Sequence, residues 1–189
     1  MKLYGSHTSP FVRHCRIALL EAGIHCEFIE ADAAVSARLS PMQKLPFLQY
    51  QEHGEEKMLT DSSAILRLIR ERANQPFMPD VAALNAFCAA NTLMDAAINL
   101  FYLEKDGITP EQSSYLRRQQ SRLQTGLADL ATLPLRDAAP WSDTELRIAC
   151  FLDWALFRQR LTLDDHPKLA SFLDHIRAYP HFAATAPKA

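Results

Sequence analysis

The chain has 189 residues, 48% hydrophobic and 22% charged, which is enough apolar material for the core of one large or two small domains. A formal net charge of −2, with lysines and arginines scattered, gives no electrostatic case for a nucleic-acid or anionic-membrane partner. The start lacks a basic segment followed by an apolar one, and no apolar run approaches the ~20 residues that cross a bilayer, so a cytoplasmic protein is expected.

Residues 2–5 read as a short strand. After it, Ser9 stands where a helix N-cap belongs and Pro10 where proline fits the first turn. Val12, Cys15 and Leu19 recur at helical spacing while Arg13, Arg16 and Glu21 stay polar, and Gly23 is placed to stop the helix. On this pattern Arg13 and His14 belong to an exposed, solvated turn, Cys15 belongs to the core, and nothing in the sequence pairs with His7. Residues 25–30 read as a second strand. Residues 46–50 and 57–60 form a strand pair around a polar turn at 51–56, and Ile65, Leu68 and Ile69 supply the stripe of the next helix. The order βαβ then ββα predicts a thioredoxin-like α/β domain.

Two prolines in the segment Asn74 to Pro79 interrupt the periodicity, and no convincing strand follows. The expected organisation is a first domain over 1–75, a linker over 76–82 and an all-helical domain over 83–189, with helices at roughly 81–104, 110–132, 142–159 and 167–178. Ser142-Asp143-Thr144-Glu145 is a capping box, in which the serine side chain and the glutamate side chain each satisfy the other's backbone amide. Leu146, Ala149, Cys150, Trp154 and Phe157 give the helix after it a wide apolar face. The four cysteines, Cys15, Cys26, Cys88 and Cys150, are far apart and lack zinc-type spacing with histidine, so reduced and mostly buried thiols are expected, with neither a disulfide framework nor a metal site.

The first helix carries the chemistry. Its free amides and positive dipole end face whatever sits beside Ser9, which makes the position suited to an anion such as a thiolate. At the start of the third helix, Asp61 and Ser62 can meet an ammonium and a carboxylate respectively, or serve only as caps. Ser9 too can be a cap and nothing more.

Three segments, in order and spacing, resemble the glutathione transferase family. Ser9-Pro10-Phe11 is similar to the start of the first helix in its serine-type classes. Lys44-Leu45-Pro46-Phe47-Leu48, after Ser40-Pro41, resembles the Lys-Val-Pro-x-Leu segment in which a cis-proline presents backbone to the cysteinyl part of glutathione; Gln43 stands where the family usually has glycine. Leu59-Thr60-Asp61-Ser62-Ser63-Ala64-Ile65 is similar to the Glu-Ser-x-Ala-Ile motif that receives the γ-glutamyl end. The capping box and the ending from His166 to Ala183 resemble the family's helical domain, so the likeness covers nearly the whole chain.

The resemblance implies glutathione as co-substrate, bound by Ser9, Phe11, Lys44, Leu45, Pro46, Asp61 and Ser62, with Ser9 as the catalytic residue and Thr8 or Ser6 as neighbouring hydroxyls open to the same role. It implies conjugation of the thiolate to a small hydrophobic electrophile lodged between the domains, in a homodimer without metal; the stripe Leu93, Met94, Ile98, Phe101 and Tyr102 reads as part of its pocket, although such a stripe is more often core. Lowering a thiol pKa by about two units takes ~2.7 kcal/mol of preference for the thiolate. A helix end contributes ~0.3–1 kcal/mol, whereas a hydrogen bond to a charged acceptor contributes ~1.5–3 kcal/mol. A hydroxyl donor is therefore required beside the helix end. The alternatives are a non-catalytic relative of the same fold, as in the stringent starvation protein, or a glutathione-dependent peroxidase or reductase using the same site.

Overall fold

Leu3 and Tyr4 sit side by side on strand β1 (Lys2–Gly5) and point to opposite faces of the sheet, so each is buried by a different layer. The computed structural model describes residues 1–187 and divides into two units, Met1–Phe77 together with the chain from Pro180, and Met78–Tyr179. In the first unit β1 pairs in parallel with β2 (Glu27–Glu30) and antiparallel with β3 (Phe47–Glu52), which pairs antiparallel with β4 (Glu55–Leu59). The order across the sheet is β2-β1-β3-β4. Helix α1 (Pro10–Glu21) makes the parallel crossover, α2 (Ala33–Leu39) joins β2 to β3, and α3 (Ser62–Arg72) follows β4. This is the thioredoxin-like arrangement that the element order predicts. The pattern reading did not find α2, which is only seven residues long and starts from an Asp32 cap accepting from Val35 N–H at 2.9 Å.

On one face Tyr4 and Phe47 stack with ring centroids 4.4 Å apart, beside buried Ala31 and partly buried Ile29, Val35, Leu45 and Met58. The other face presents Leu3, Gly5 and Leu48 toward α1, which packs on α3. Gly5 is required by close approach: a Cβ there would stand 2.4 Å from Cγ2 and 2.8 Å from Cγ1 of Val12. The contact brings α1 down onto the end of β1.

Two sequence expectations about α1 are corrected. Arg13 and His14 are 3% and 0% exposed and not solvated, because α1 is covered on three sides. The third cover is α8 (Pro180–Ala184), which belongs to the first unit and not to the helical domain where its sequence position put it. Arg13 holds α8: Nη2 donates to the Phe182 carbonyl at 2.9 Å, Nε donates to Thr185 Oγ1 at 3.4 Å, and the guanidinium lies 3.7 Å from the Phe182 ring centroid. Arg70 and Glu21 form a second buried tie, between the last turns of α3 and α1, at 2.6 Å.

The second unit contains α4 (Val81–Lys105), a 3-10 turn over Pro110–Gln112, α5 (Ser114–Leu130), α6 (Asp143–Phe157) and α7 (Pro167–Arg177). Contrary to the sequence reading of apolar runs, α4 is long and apolar enough to cross a membrane by length and composition alone, with a mean hydropathy of 1.4 over its best 18 residues. Its packing accounts for part of that composition, a third of those residues being buried. Phe87, Ala90, Leu93, Met94, Ala96 and Ala97 form a buried stripe against α5 and α6. The cysteines also differ from expectation: Cys15 and Cys150 are buried, while Cys88 is exposed and Cys26 partly so.

The capping box at 142–145 forms as the sequence predicts. Glu145 N–H donates to Ser142 Oγ at 3.2 Å and Ser142 N–H donates to Glu145 Oε2 at 2.8 Å, with Arg136 Nη2 reaching the same carboxylate at 2.5 Å. Burial alone would raise the Glu145 carboxyl, but the bonds from Arg136 and Ser142 outweigh it and hold the group below the usual carboxylate range. A depressed folded-state value gives a contribution present above the unfolded value of about 4.3 and lost as pH falls through the folded one. Two outcomes are expected in urea titrations. Gly5→Ala lowers the unfolding free energy by about 1–3 kcal/mol, because the stiff Val12 methyls have nowhere to move. The stability difference between the wild type and Glu145→Gln is largest at neutral pH and narrows as pH falls below the unfolded value of about 4.3.

Candidate functional site

Strand register brings the three sequence motifs to one end of the sheet. Tyr4 is opposite Phe47, so the loop leaving β1 and the Pro46 approach to β3 lie side by side. Leu48 is opposite Leu59, so β4 delivers its chain to the same end, where Thr60 leads into Asp61 and Ser62. Residues separated by more than fifty positions are thereby placed on three adjacent connections.

Ser9 is the N-cap of α1, with φ −76° and ψ 126°, and Pro10 is the first helical residue. Its Oγ accepts from Val12 N–H at 3.4 Å. A hydroxyl has one proton and two lone pairs, so capping uses a lone pair and leaves the proton for an external acceptor. Ser9 is half-buried, which lets a ligand reach it. Ser6 and Thr8 are arranged differently: their hydroxyls are 3.2 Å apart and bonded to each other, and Ser6 Oγ also accepts from Thr8 N–H at 3.3 Å. One of their two protons is already used. Phe11, half-buried, is the second residue of α1.

The loop is pinned by a residue that the sequence reading did not single out. Glu30 accepts from His7 N–H through both carboxylate oxygens at 3.2 Å, and His7 Nε2 lies 3.3 Å from Oε2. His7 is thus paired, and its ring also sits 4.6 Å from that of Phe28. The parallel register Gly5↔Glu30 explains the contact, since it sets the end of β2 beside the loop that leaves β1. A βαβ pattern contains that signal: the ends of its two strands must be neighbours.

The Leu45–Pro46 peptide is cis, Pro46 is buried, and Leu45 lies outside the β3 ladder. Gln43, two residues earlier, has φ 49°, the left-handed region that glycine adopts without a Cβ penalty. That requirement accounts for a glycine being usual at this point in the resembled segment.

Asp61 is the N-cap of α3, its Oδ1 accepting from Ser63 N–H at 2.8 Å. Its Oδ2 accepts from Lys44 Nζ at 2.9 Å, so two candidate ligands meet each other across the surface. Burial would raise the Asp61 carboxyl, but Lys44 and the Ser63 amide together hold it below the usual range, and it is an anion at neutral pH. Ser62 is 6% exposed at the first turn of α3, and its carbonyl accepts from Cys15 Sγ at 3.8 Å, which locks α3 to α1. In the second unit, Leu93 and Met94 are core, whereas Tyr102 is exposed at a cavity of about 330 Å³ between α4 and α5 that Leu100, Leu103, Tyr115 and Leu116 also line. Among the described residues no group of three or more His, Cys, Asp or Glu could hold a metal ion.

A mixed four-stranded sheet, a serine-capped first helix, a cis-proline before β3 and an acid-capped third helix define a thioredoxin-like domain, joined here to a helical one. Comparison with known proteins gives it a family. Residues 3–77 match the family described as the glutathione S-transferase N-terminal domain. The chain is 31% identical over 204 residues to the uncharacterized GST-like protein YibF of Escherichia coli K12, covering 99% of this chain and 98% of that protein. A glutathione S-transferase from Methylobacterium radiotolerans, solved with glutathione sulfonate, superposes with a TM-score of 0.84 at 26% identity, covering 100% of this chain and 95% of the other. A glutathione transferase family member from Pseudomonas fluorescens Pf-5, solved with S-(propanoic acid)-glutathione, gives 0.81 at 25% identity, covering 99% of each. The chain belongs to the glutathione S-transferase family.

Asparagine caps a helix as well as aspartate but carries no charge. Asp61→Asn is therefore expected to keep the thermal midpoint at pH 7, while Asp61→Ala loses about 0.5–2 kcal/mol in the same unfolding measurement.

Proposed function

We propose that the protein binds glutathione at this end of the sheet and activates it as a thiolate for transfer to a small hydrophobic electrophile. The observation that carries the reading is the state of Ser9: a half-buried hydroxyl at a helix N-terminus whose capping bond leaves its proton unspent. In this reading the Ser9 proton is donated to the glutathione sulfur, and the amides at the start of α1 add the positive end of the helix dipole. The backbone of Leu45 beside Pro46 pairs with the cysteinyl peptide. Asp61 receives the γ-glutamyl ammonium while Ser62 at the start of α3 receives its carboxylate. Lys44 neutralises a glutathione carboxylate, and Phe11 borders the sulfur.

The reaction then needs little from the protein. The stabilised thiolate forms a carbon–sulfur bond to the electrophile, whose leaving group departs with the displaced electron pair. Holding the thiolate in place supplies the remainder as proximity. Positioning falls to Glu30, which fixes His7 and with it the loop that carries Ser9. Glutathione as co-substrate, a homodimer and a cytoplasmic location complete the proposal; the two glutathione-containing structures of 25–26% identity support its ligand.

Ultraviolet titration of the thiolate in bound glutathione tests the proposal. The wild type is expected to bind saturably with a thiol pKa well below that of free glutathione, and Ser9→Ala to raise it by about 1–2 units, the equivalent of one charge-assisted hydrogen bond. Ser9→Thr, which retains both the cap and the hydroxyl, restores the shift. Absence of binding rejects the enzyme and leaves the non-catalytic relative; binding with a pKa indifferent to Ser9 retains the ligand and removes Ser9 from the chemistry.

A further inference from the structure

Where α4 and α6 end, three cations crowd one aromatic ring. Lys105 Nζ lies 4.7 Å from the Phe101 ring centroid, and the guanidinium carbons of Arg158 and Arg160 lie 5.3 Å and 5.6 Å from it. The ring is held edge-on against Trp154, 5.9 Å away. Arg160 is accounted for by an ion pair with Glu104 and by Nε donating to the Arg158 carbonyl at 2.8 Å. The other two lie against aromatic rings and have no ion pair among the described residues. Asp106, the next acid on α4, lines the cavity facing α5.

Arg158 shows the imbalance most clearly. Its guanidinium is 4.9 Å from the Phe157 ring centroid as well as 5.3 Å from that of Phe101, and its Nε is buried with no acceptor. Helix C-termini attract cations, at roughly half a negative charge each, which explains why arginine and lysine gather here. It does not supply the missing acceptor. Buried charged donors are satisfied in folded proteins, so this Nε calls for a water, an ion or a ligand as its acceptor.

We propose that Arg158 and Lys105, both in the second unit, form a binding site for a doubly charged oxyanion of the phosphoryl class. The planar guanidinium matches adjacent phosphoryl oxygens in a forked pair, and the ammonium adds a point charge. Two uncompensated cations favour a dianion over a single carboxylate. Beside them Tyr102 is 60% exposed and Phe157 37%, so the surroundings of the charge are apolar and aromatic. The ligand is a phosphate monoester with an aromatic or apolar body, in which the phosphoryl group gives most of the binding.

Calorimetric titration of the whole chain with phenyl phosphate, and separately with inorganic phosphate, tests the site. Saturable phenyl phosphate binding is expected, weakened about tenfold or more in both Arg158→Gln and Lys105→Gln, and unchanged in Ser9→Ala. Tighter binding of phenyl phosphate than of inorganic phosphate supports an ester; equal affinities place the source in free phosphate and support the same site. Lys105 is on the surface, so Lys105→Gln decides the matter even where Arg158→Gln does not fold. No saturable binding of either compound, or binding that Lys105→Gln leaves unaltered, overturns the proposal.

Discussion

The antiparallel register of β1, β3 and β4 is the constraint from which the first unit takes its use. Pairing Tyr4 with Phe47 and Leu48 with Leu59 fixes which side chains enter each core layer, because a slip of one residue would turn every one of them to the wrong face. The same pairing fixes where the three connections emerge. Burial therefore specifies the site indirectly. The energy that holds Leu3, Phe47 and Leu48 out of water also holds Ser9, Leu45 and Asp61 at one end of a sheet.

Around that end, residues that cap helices are the ones proposed to meet a ligand, and the two roles do not compete. Ser9 accepts a backbone proton and retains its own; Asp61 accepts from Ser63 with one oxygen and from Lys44 with the other. A hydroxyl or carboxylate placed to satisfy a helix start is already oriented, desolvated on one side and surrounded by amides. Little rearrangement separates a structural N-cap from a recognition group.

What the sequence could show was local. Ser9-Pro10, the capping box at 142–145 and the stripe of Val12, Cys15 and Leu19 lie within a few residues of their partners, and all form as their patterns indicate. Helix α2 was illegible because seven residues make barely two turns, too few for a period to register. Arg13 and His14 were misread because periodicity sees one covered face of a helix. The segment that covers the other face arrives from 169 positions away in the case of Phe182. Glu30 had a topological signal but no motif, and Gln43 was visible only as a departure whose meaning, a positive φ, belongs to the backbone.

The grip of Arg13 on the Phe182 carbonyl ties α1 to a segment 169 positions further along the chain. A ribosome releases the sheet and α1 long before it releases α8, and domains ordinarily fold as they emerge. Here the acceptor and the ring that receive the Arg13 guanidinium are made 169 residues after it. The first unit cannot finish its interior until α8 has emerged, so the helical unit is translated before its neighbour is complete. Order of synthesis and order of completion are reversed for the part of the molecule that carries Ser9.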